Sequence, residues 1–188
     1  MLGTRELDSA NLPEDAQSWI NRKLQFTHGY GAVVSPVTEF TNEGSPTFFV
    51  KDMPPTQDVL SLERPEVYYG EVSENFVIVN SNQPELDFAP TSGDPVYTSY
   101  QGKGGVTLSG LFRKLVFAWQ FRDVNILISG EINSNSKIQY HRQVQDRIAK
   151  LAPFLMLDSD PYIVIDQGRL FWIQDAYTTS NKFPYSTS

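Results

Sequence analysis

The chain has 188 residues, 40% of them hydrophobic and 13% aromatic, with no cysteine and a formal net charge of −7. That length supports one domain with its own core, and the lack of cysteine excludes a thiol nucleophile, a disulfide and a cysteine-ligated zinc. The acidic balance, without any Lys/Arg block, excludes a generic phosphate-backbone binder, so no nucleic-acid partner is expected.

The N-terminus has no basic region leading into an apolar one, and no stretch approaches the roughly 18 consecutive apolar residues of a membrane span. Neither a signal peptide nor a spanning helix is therefore expected. The polar, helix-like start after Met1 reads as a cytosolic protein or a piece cut from something longer.

The spacing predicts a first helix over Pro13–Leu24. Asn11 is its N-cap, Pro13 lies in its first turn, and Glu14 and Asp15 sit at the positive end of the dipole. Leu12, Ala16, Trp19, Ile20 and Leu24 form one stripe. Thr27–Gly31, THGYG, ends it with two turn glycines. From Ala32 to Pro55 short extended pieces are broken by Pro36, Pro46 and Pro54-Pro55, which reads as a loop-rich lobe over the body.

Glu66–Asn80 reads as a hairpin, VYYGEV and FVIVN joined by SEN. The Pro- and Gly-rich stretch Gln83–Gly105 reads as a long ordered loop. A helix follows whose apolar face is Leu108, Leu111, Phe112, Leu115, Val116 and Trp119. Its width predicts burial of that face, Trp119 included. Val124–Ile128 is either a short strand or the landing of that helix. Asn133–Ser136 offers N-caps for another helix over Lys137–Leu151, with Tyr140, Val144, Ile148 and Leu151 as its stripe. Arg142, Asp146 and Lys150 would pair at i,i+4 on its wet face.

The C-terminal stretch is the sharpest hairpin signal: Tyr162–Ile165 and Leu170–Ile173 around Asp166-Gln167-Gly168-Arg169. The expected register sets Ile165 against Leu170, Val164 against Phe171, Ile163 against Trp172 and Tyr162 against Ile173. Asp166 then faces Arg169 as a solvated ion pair. Gln-Gly favours a type II turn, or a type I turn with Gly168 left-handed, over type I′. Both faces are apolar, which predicts a covered, central hairpin with Trp172 buried.

The order helix, extended lobe, hairpin, two helices, hairpin indicates an α+β fold. It comprises a mainly antiparallel sheet built from two hairpins, with about three helices on it. Residues 1–188 form a single domain, with 1–60 the N-terminal helix and lobe and 61–188 the body.

Candidate site residues are few. Gly102-Lys103-Gly104-Gly105 precedes a helix and is a weak anion-binding candidate through Lys103, although it lacks the Walker spacing. Asp158, Asp160, Asp166 and Asp175 are clustered carboxylates. An EF-hand would need Gly and Glu where Ile163 and Arg169 stand, so turn and capping roles outweigh a non-EF calcium site. His28, beside Tyr30 in a glycine turn, and His141 are the chain's two imidazoles. Three-histidine zinc is thereby excluded, His28 reads as a structural hydrogen-bond partner, and His141 as a boundary residue. No G-x-S-x-G elbow occurs. No metal and no cofactor is assigned. The ligand-binding candidates are His28, Tyr30, Lys103, Asp158, Asp160, Asp166, Arg169 and Asp175.

Several blocks carry a resemblance: WINRKLQFTHGYGAVVSPV (Trp19–Val37), RPEVYYGE (Arg64–Glu71), FVIVN (Phe76–Asn80), YQGKGGV (Tyr100–Val106) and RIAKLAPFLMLDSDPYIVIDQGRLFWIQDAYTTSNKFPYS (Arg147–Ser186). In order over nearly the whole chain, they resemble the uncharacterised protein family 0182, large bacterial multi-pass membrane proteins without an established activity. The resemblance implies an excised part of a soluble region that follows several N-terminal transmembrane helices, on the extracytoplasmic side of the cell membrane. It carries over no catalytic residues. The expected partners are the rest of the parent protein and an envelope protein or small ligand. A binding or assembly module is the preferred reading. The alternative is a metal-dependent or hydrolytic enzyme using His28 with Asp158, Asp160 and Asp166.

Overall fold

A computed structural model describes residues 1–45, 47–50, 62–73, 76–90, 93–180 and 182. In chain order it contains β1 (Leu2–Thr4), 3₁₀ turns at Ser9–Asn11 and Glu14–Ala16, a π-helical turn at Asn21–Gln25, β2 (Gly29–Tyr30), β3 (Ala32–Val34), β4 (Glu66–Val67) and β5 (Phe76–Val79). There follow β6 (Glu85–Phe88), β7 (Val96–Thr98), β8 (Val106–Thr107), α1 (Leu111–Phe121), α2 (Asn125–Ile128), β9 (Lys137–Tyr140) and α3 (Val144–Leu151). The last elements are β10 (Met156–Leu157), β11 (Tyr162–Asp166), β12 (Arg169–Ile173) and β13 (Ala176–Tyr177). The fold is α+β, and every pairing between named strands is antiparallel.

The core lies on one face of the three-stranded sheet β5-β9-β8. Register sets Phe76 against Tyr140 and Ile78 against Ile138, and Val106 is paired with Ile138 from the other side. Alternation along each strand sends these side chains to one face. There they meet Leu24 of the π turn, Leu108, Phe117 and Ala118 of α1, Ile126 of α2 and Ile132. Phe121 stacks on Phe76 with centroids 4.5 Å apart. Trp19 packs on the cluster and donates its Nε1–H to Asp123 Oδ2 at 2.7 Å, so its polar edge is satisfied at the core boundary.

Among the described residues the antiparallel pairing is divided among six small sheets, and several local expectations give way to long-range partners. Pro13–Leu24 is not one helix. It breaks at Gln17 and resumes as a π-helical segment, where Ser18 Oγ accepts from the Asn21 N–H. Gly29 and Tyr30 of THGYG are strand β2, not a turn. Glu66–Asn80 is not a hairpin: β4 pairs with β2, and β5 pairs with β9. The stretch read as loop, Gln83–Gly105, contains the β6–β7 hairpin and leads directly into β8. Asn125–Ile128 is a helical turn packed on α1.

Lys137–Tyr140 is strand, because Ile138 and Tyr140 alternate into the core opposite Ile78 and Phe76. His141 then takes a left-handed φ of 50°, and α3 starts only at Val144. Arg142 is buried, not on a wet face.

The C-terminal hairpin has the expected register at every pair, including Asp166 opposite Arg169. Two details differ. Gln167 and Gly168 both have positive φ, 46° and 73°, which is the type I′ pattern and suits the right-handed strand twist. The Arg169 guanidinium lies 5.4 Å over the Phe171 ring, in place of the expected ion pair with Asp166. The hairpin is also not central. It forms a two-stranded sheet beside β1, with Ile163 buried and Tyr162, Val164 and Phe171 exposed. Trp172 is half-buried and donates to the Tyr69 carbonyl at 3.0 Å.

Helix α1 forms where expected but turns its predicted face outward. Phe117 and Ala118 are buried, whereas Leu111, Phe112 and Trp119 are 74, 77 and 82% exposed. The helix is apolar on two faces, and the core takes the Phe117/Phe121 side, where Phe121 stacks on Phe76 and both rings meet Tyr140 at an angle. Among the described residues no helix is long and apolar enough to cross a membrane.

Candidate functional site

A buried polar network stands behind β2 and β6. Thr27 and His28 end the segment leading into β2, and Glu85 opens β6. The Thr27 hydroxyl donates to Glu85 Oε2 at 2.6 Å. Its single proton is thus committed, so the 2.9 Å contact with His28 is Nδ1–H donating to Thr27 Oγ1. His28 Nε2 faces Asp87 Oδ1 at 3.5 Å. The Tyr68 hydroxyl donates to Glu85 Oε2 at 3.0 Å, while Glu85 Oε1 accepts the Asn80 and Tyr100 N–H groups, each at 3.2 Å. Arg142 completes the network from behind, donating to the Thr27 and Tyr68 carbonyls at 2.7 Å each.

The charges follow from these contacts. Burial alone would lower the His28 pKa, but the hydrogen bonds with Asp87 and Glu85 and their negative charges outweigh it, and the pKa is raised. Burial alone would raise the pKa of Glu85, but hydrogen bonds from His28, Thr27 and the Asn80 N–H, with the His28 charge, hold it below the usual carboxylate range. Burial, then Glu85, pushes the Tyr68 phenol far above its ordinary value. The His28 and Glu85 side chains are 0 and 1% exposed. The centre of the network is closed to solvent, and its hydrogen bonds hold six chain segments together.

A cleft of about 590 Å³ opens in front of it, lined among others by Arg5, Glu6, Tyr30, Asp87 and Phe88. Tyr30 and Phe88 meet there, centroids 4.8 Å apart. Glu6 reaches across to accept the Glu71 and Val72 N–H groups at 2.7 and 2.9 Å, latching the N-terminal segment. Gly29 is obligatory at this crossing. A Cβ on it would sit 1.9 Å from the Arg5 carbonyl oxygen, a backbone atom that cannot give way.

The sequence candidates divide between separate places. His28 and Tyr30 belong to this cleft. Lys103 and Arg169 meet with Arg64 in another cavity of about 470 Å³. The Gly102–Gly105 stretch leads into β8, not onto a helix N-terminus. Asp158 and Asp175 are joined through the backbone, Asp158 N–H to Asp175 O at 2.9 Å, and Tyr177 donates to Asp158 Oδ2 at 3.3 Å. Asp160 and Asp166 are exposed. The carboxylates in contact with His28 are Glu85 and Asp87, which sequence reasoning passed over because they lie in a stretch read as loop. Among the described residues no group of three or more His, Asp and Glu is placed to hold a metal ion.

Comparison with known proteins bears on the whole chain. The model of an uncharacterised protein family, UPF0182, matches residues 1–188. The chain is 52% identical over 188 residues to a UPF0182 protein of Sulfurovum sp. (strain NBC37-1), which covers 99% of this chain and 20% of that relative. It is 48% identical over 187 residues to one from Pelotomaculum thermopropionicum, with the same coverage. It is 48% identical over 187 residues to one from Methanospirillum hungatei, covering 98% of this chain and 21% of the relative. The chain thus spans about a fifth of the length of these relatives. No solved structure matches.

Proposed function

We propose, for a chain that belongs to the uncharacterised protein family UPF0182, that these residues form an assembly module which docks on the rest of a larger polypeptide through the outer face of α1. One observation carries this reading: Leu111, Phe112, Leu115 and Trp119 stand exposed together on one side of that helix. They fall at i, i+1, i+4 and i+8, a single contiguous arc. A contiguous exposed apolar arc of this kind marks a surface that a partner covers. The relatives are about five times as long as this chain, which supports an occupant within the same polypeptide. From Val106 to Arg122 the charged residues are Arg113, Lys114 and Arg122, with no acid, so the matching surface is apolar with carboxylates at its border.

We further place the module on the extracytoplasmic side of a multi-pass membrane parent. That placement rests on the family resemblance of the sequence blocks. The enzyme reading has less support, because the His28 side chain is enclosed and its partners are not the carboxylates first considered.

Because the chain has no cysteine, Leu115→Cys provides the test. Maleimide should label it about a hundredfold more slowly in the full-length protein than in the 188-residue chain, the protection that roughly 2.7 kcal/mol of docking confers. Val79→Cys, buried, is the folded control and should resist labelling in both. Equal rapid labelling of Leu115→Cys in both proteins sinks the assembly reading. For sidedness, Asp94→Cys on the exposed surface should react in intact cells with a membrane-impermeant maleimide. Reaction only after permeabilisation would place the module inside.

A further inference from the structure

A second cavity, of about 270 Å³, gathers positive charge in a chain whose net charge is −7. Arg147 and Lys150 of α3 and His141 line it, together with the rings of Tyr69 and Tyr140 and the side chain of Leu151. Among the described residues that line it there is no carboxylate. Arg147 and Lys150 are three apart on α3 and so share a helix face.

The cavity is built by features that cost the backbone something. His141 holds a left-handed φ of 50°, a conformation that non-glycine residues adopt uncommonly. It turns the chain from β9 toward α3, and its ring lies edge-on to Tyr140 with centroids 5.0 Å apart. Gly105 has φ +88°, and a Cβ there would sit 3.1 Å from the Ile138 carbonyl oxygen, so glycine lets this wall close on β9. The Arg147 guanidinium is fixed 4.7 Å over the Tyr69 ring. Its Nη1 donates to the Tyr140 and His141 carbonyls at 3.4 and 3.5 Å, and the side chain lines the cavity. Burial, then Lys150 and Arg147, hold the His141 pKa below its ordinary value, with Asp146 partly opposing. An imidazole held neutral beside the Arg147 and Lys150 cations suits an oxyanion, which relieves their repulsion and accepts hydrogen bonds from them.

We propose that this cavity binds a small organic oxyanion, a phosphate or carboxylate carrying an apolar group. The charged end pairs with Arg147 and Lys150, and the apolar part lies against Tyr69, Tyr140 and Leu151. The volume falls just under the roughly 300–1,000 Å³ of drug-sized ligand sites, which suits a compact ligand. This inference is independent of how α1 is covered.

Calorimetric titration of the 188-residue chain at low salt with phenyl phosphate, inorganic phosphate and phenol tests it. Phenyl phosphate should bind about tenfold more tightly than either fragment, since both charge and ring contribute. Lys150→Gln and Arg147→Gln should each weaken it about tenfold, and Lys182→Gln, exposed and not among the residues lining this cavity, should not. Arg147 also supports Tyr69, so Lys150→Gln, an exposed residue, serves as the variant that keeps its fold. No detectable heat with phenyl phosphate, equal affinity for inorganic phosphate, or affinity unchanged in Lys150→Gln would each overturn the proposal.

Discussion

The Thr27 hydroxyl and the Glu85 carboxylate meet at 2.6 Å across 58 positions of sequence. That bond ties the approach to β2 to the first residue of β6, and through Tyr68, Asn80 and Tyr100 it reaches three further segments. Glu85 is therefore the buried centre of the network. Glu85→Ala should lower stability by about 3–5 kcal/mol, because the buried imidazole loses its counter-charge while Thr27 and Tyr68 lose their acceptor. Urea unfolding measures this; a loss under about 1 kcal/mol would show that water replaces the carboxylate.

The same network sets a pH profile. His28 has a raised pKa, so its contribution is whole below its ordinary value of 6.5 and is lost as pH rises through the folded value. Glu85 has a lowered pKa, so its contribution is whole above 4.5 and is lost as pH falls through the folded value. Stability from this pair should peak between about pH 4.5 and 6.5. Urea midpoints across pH should fall on the alkaline side in the parent chain, and that limb should flatten in His28→Asn.

Gly29→Ala should be severe, because the new methyl meets the backbone of Arg5 and Glu6. A cost of about 3 kcal/mol is expected, at the upper end of overpacking. Hydrogen exchange should show the Leu2–Thr4 amides losing protection first, since the clash displaces the N-terminal segment. Unchanged protection there would refute the crossing geometry.

Trp119→Ala should change the stability of the 188-residue chain by no more than about 0.5 kcal/mol, as befits an exposed side chain. Ile78→Ala, fully buried, should cost about 2–5 kcal/mol. Thermal unfolding of the two variants side by side separates the two surfaces. A large loss from Trp119→Ala would mean that α1 turns its other face to the core.

Gln167→Asn should stabilise by about 0.5 kcal/mol, since Asn tolerates the positive φ that Gln167 holds before Gly168. The readout is a higher urea midpoint at constant slope. A fall in the midpoint would argue against the type I′ turn.

Local pattern was informative wherever neighbours in sequence are also neighbours in space. The β11–β12 register could be read from the alternation of Tyr162–Ile165 against Leu170–Ile173, because a two-residue link leaves one pairing. The existence of α1 followed from its period. The α+β class followed from the segregation of extended and helical segments, and family membership from the blocks of residues themselves.

Partners distant in the chain were not legible. Phe76–Val79 looked like half of a local hairpin, and only the tertiary structure pairs it with Lys137–Tyr140. Those four residues were absorbed into a helical stripe because a strand that short has too few alternations to compete with a longer helical period. Glu85 and Asp87 carried no signal, since a carboxylate in a Pro- and Gly-rich stretch resembles any solvated loop residue. For α1 the sequence alone determined the helix and one wide apolar face, which the structure turns outward. Which side faces inward was decided by the stacking of Phe76 and Tyr140 against Phe117 and Phe121. Periodicity records what a face is made of, whereas burial depends on which distant surface arrives to cover it.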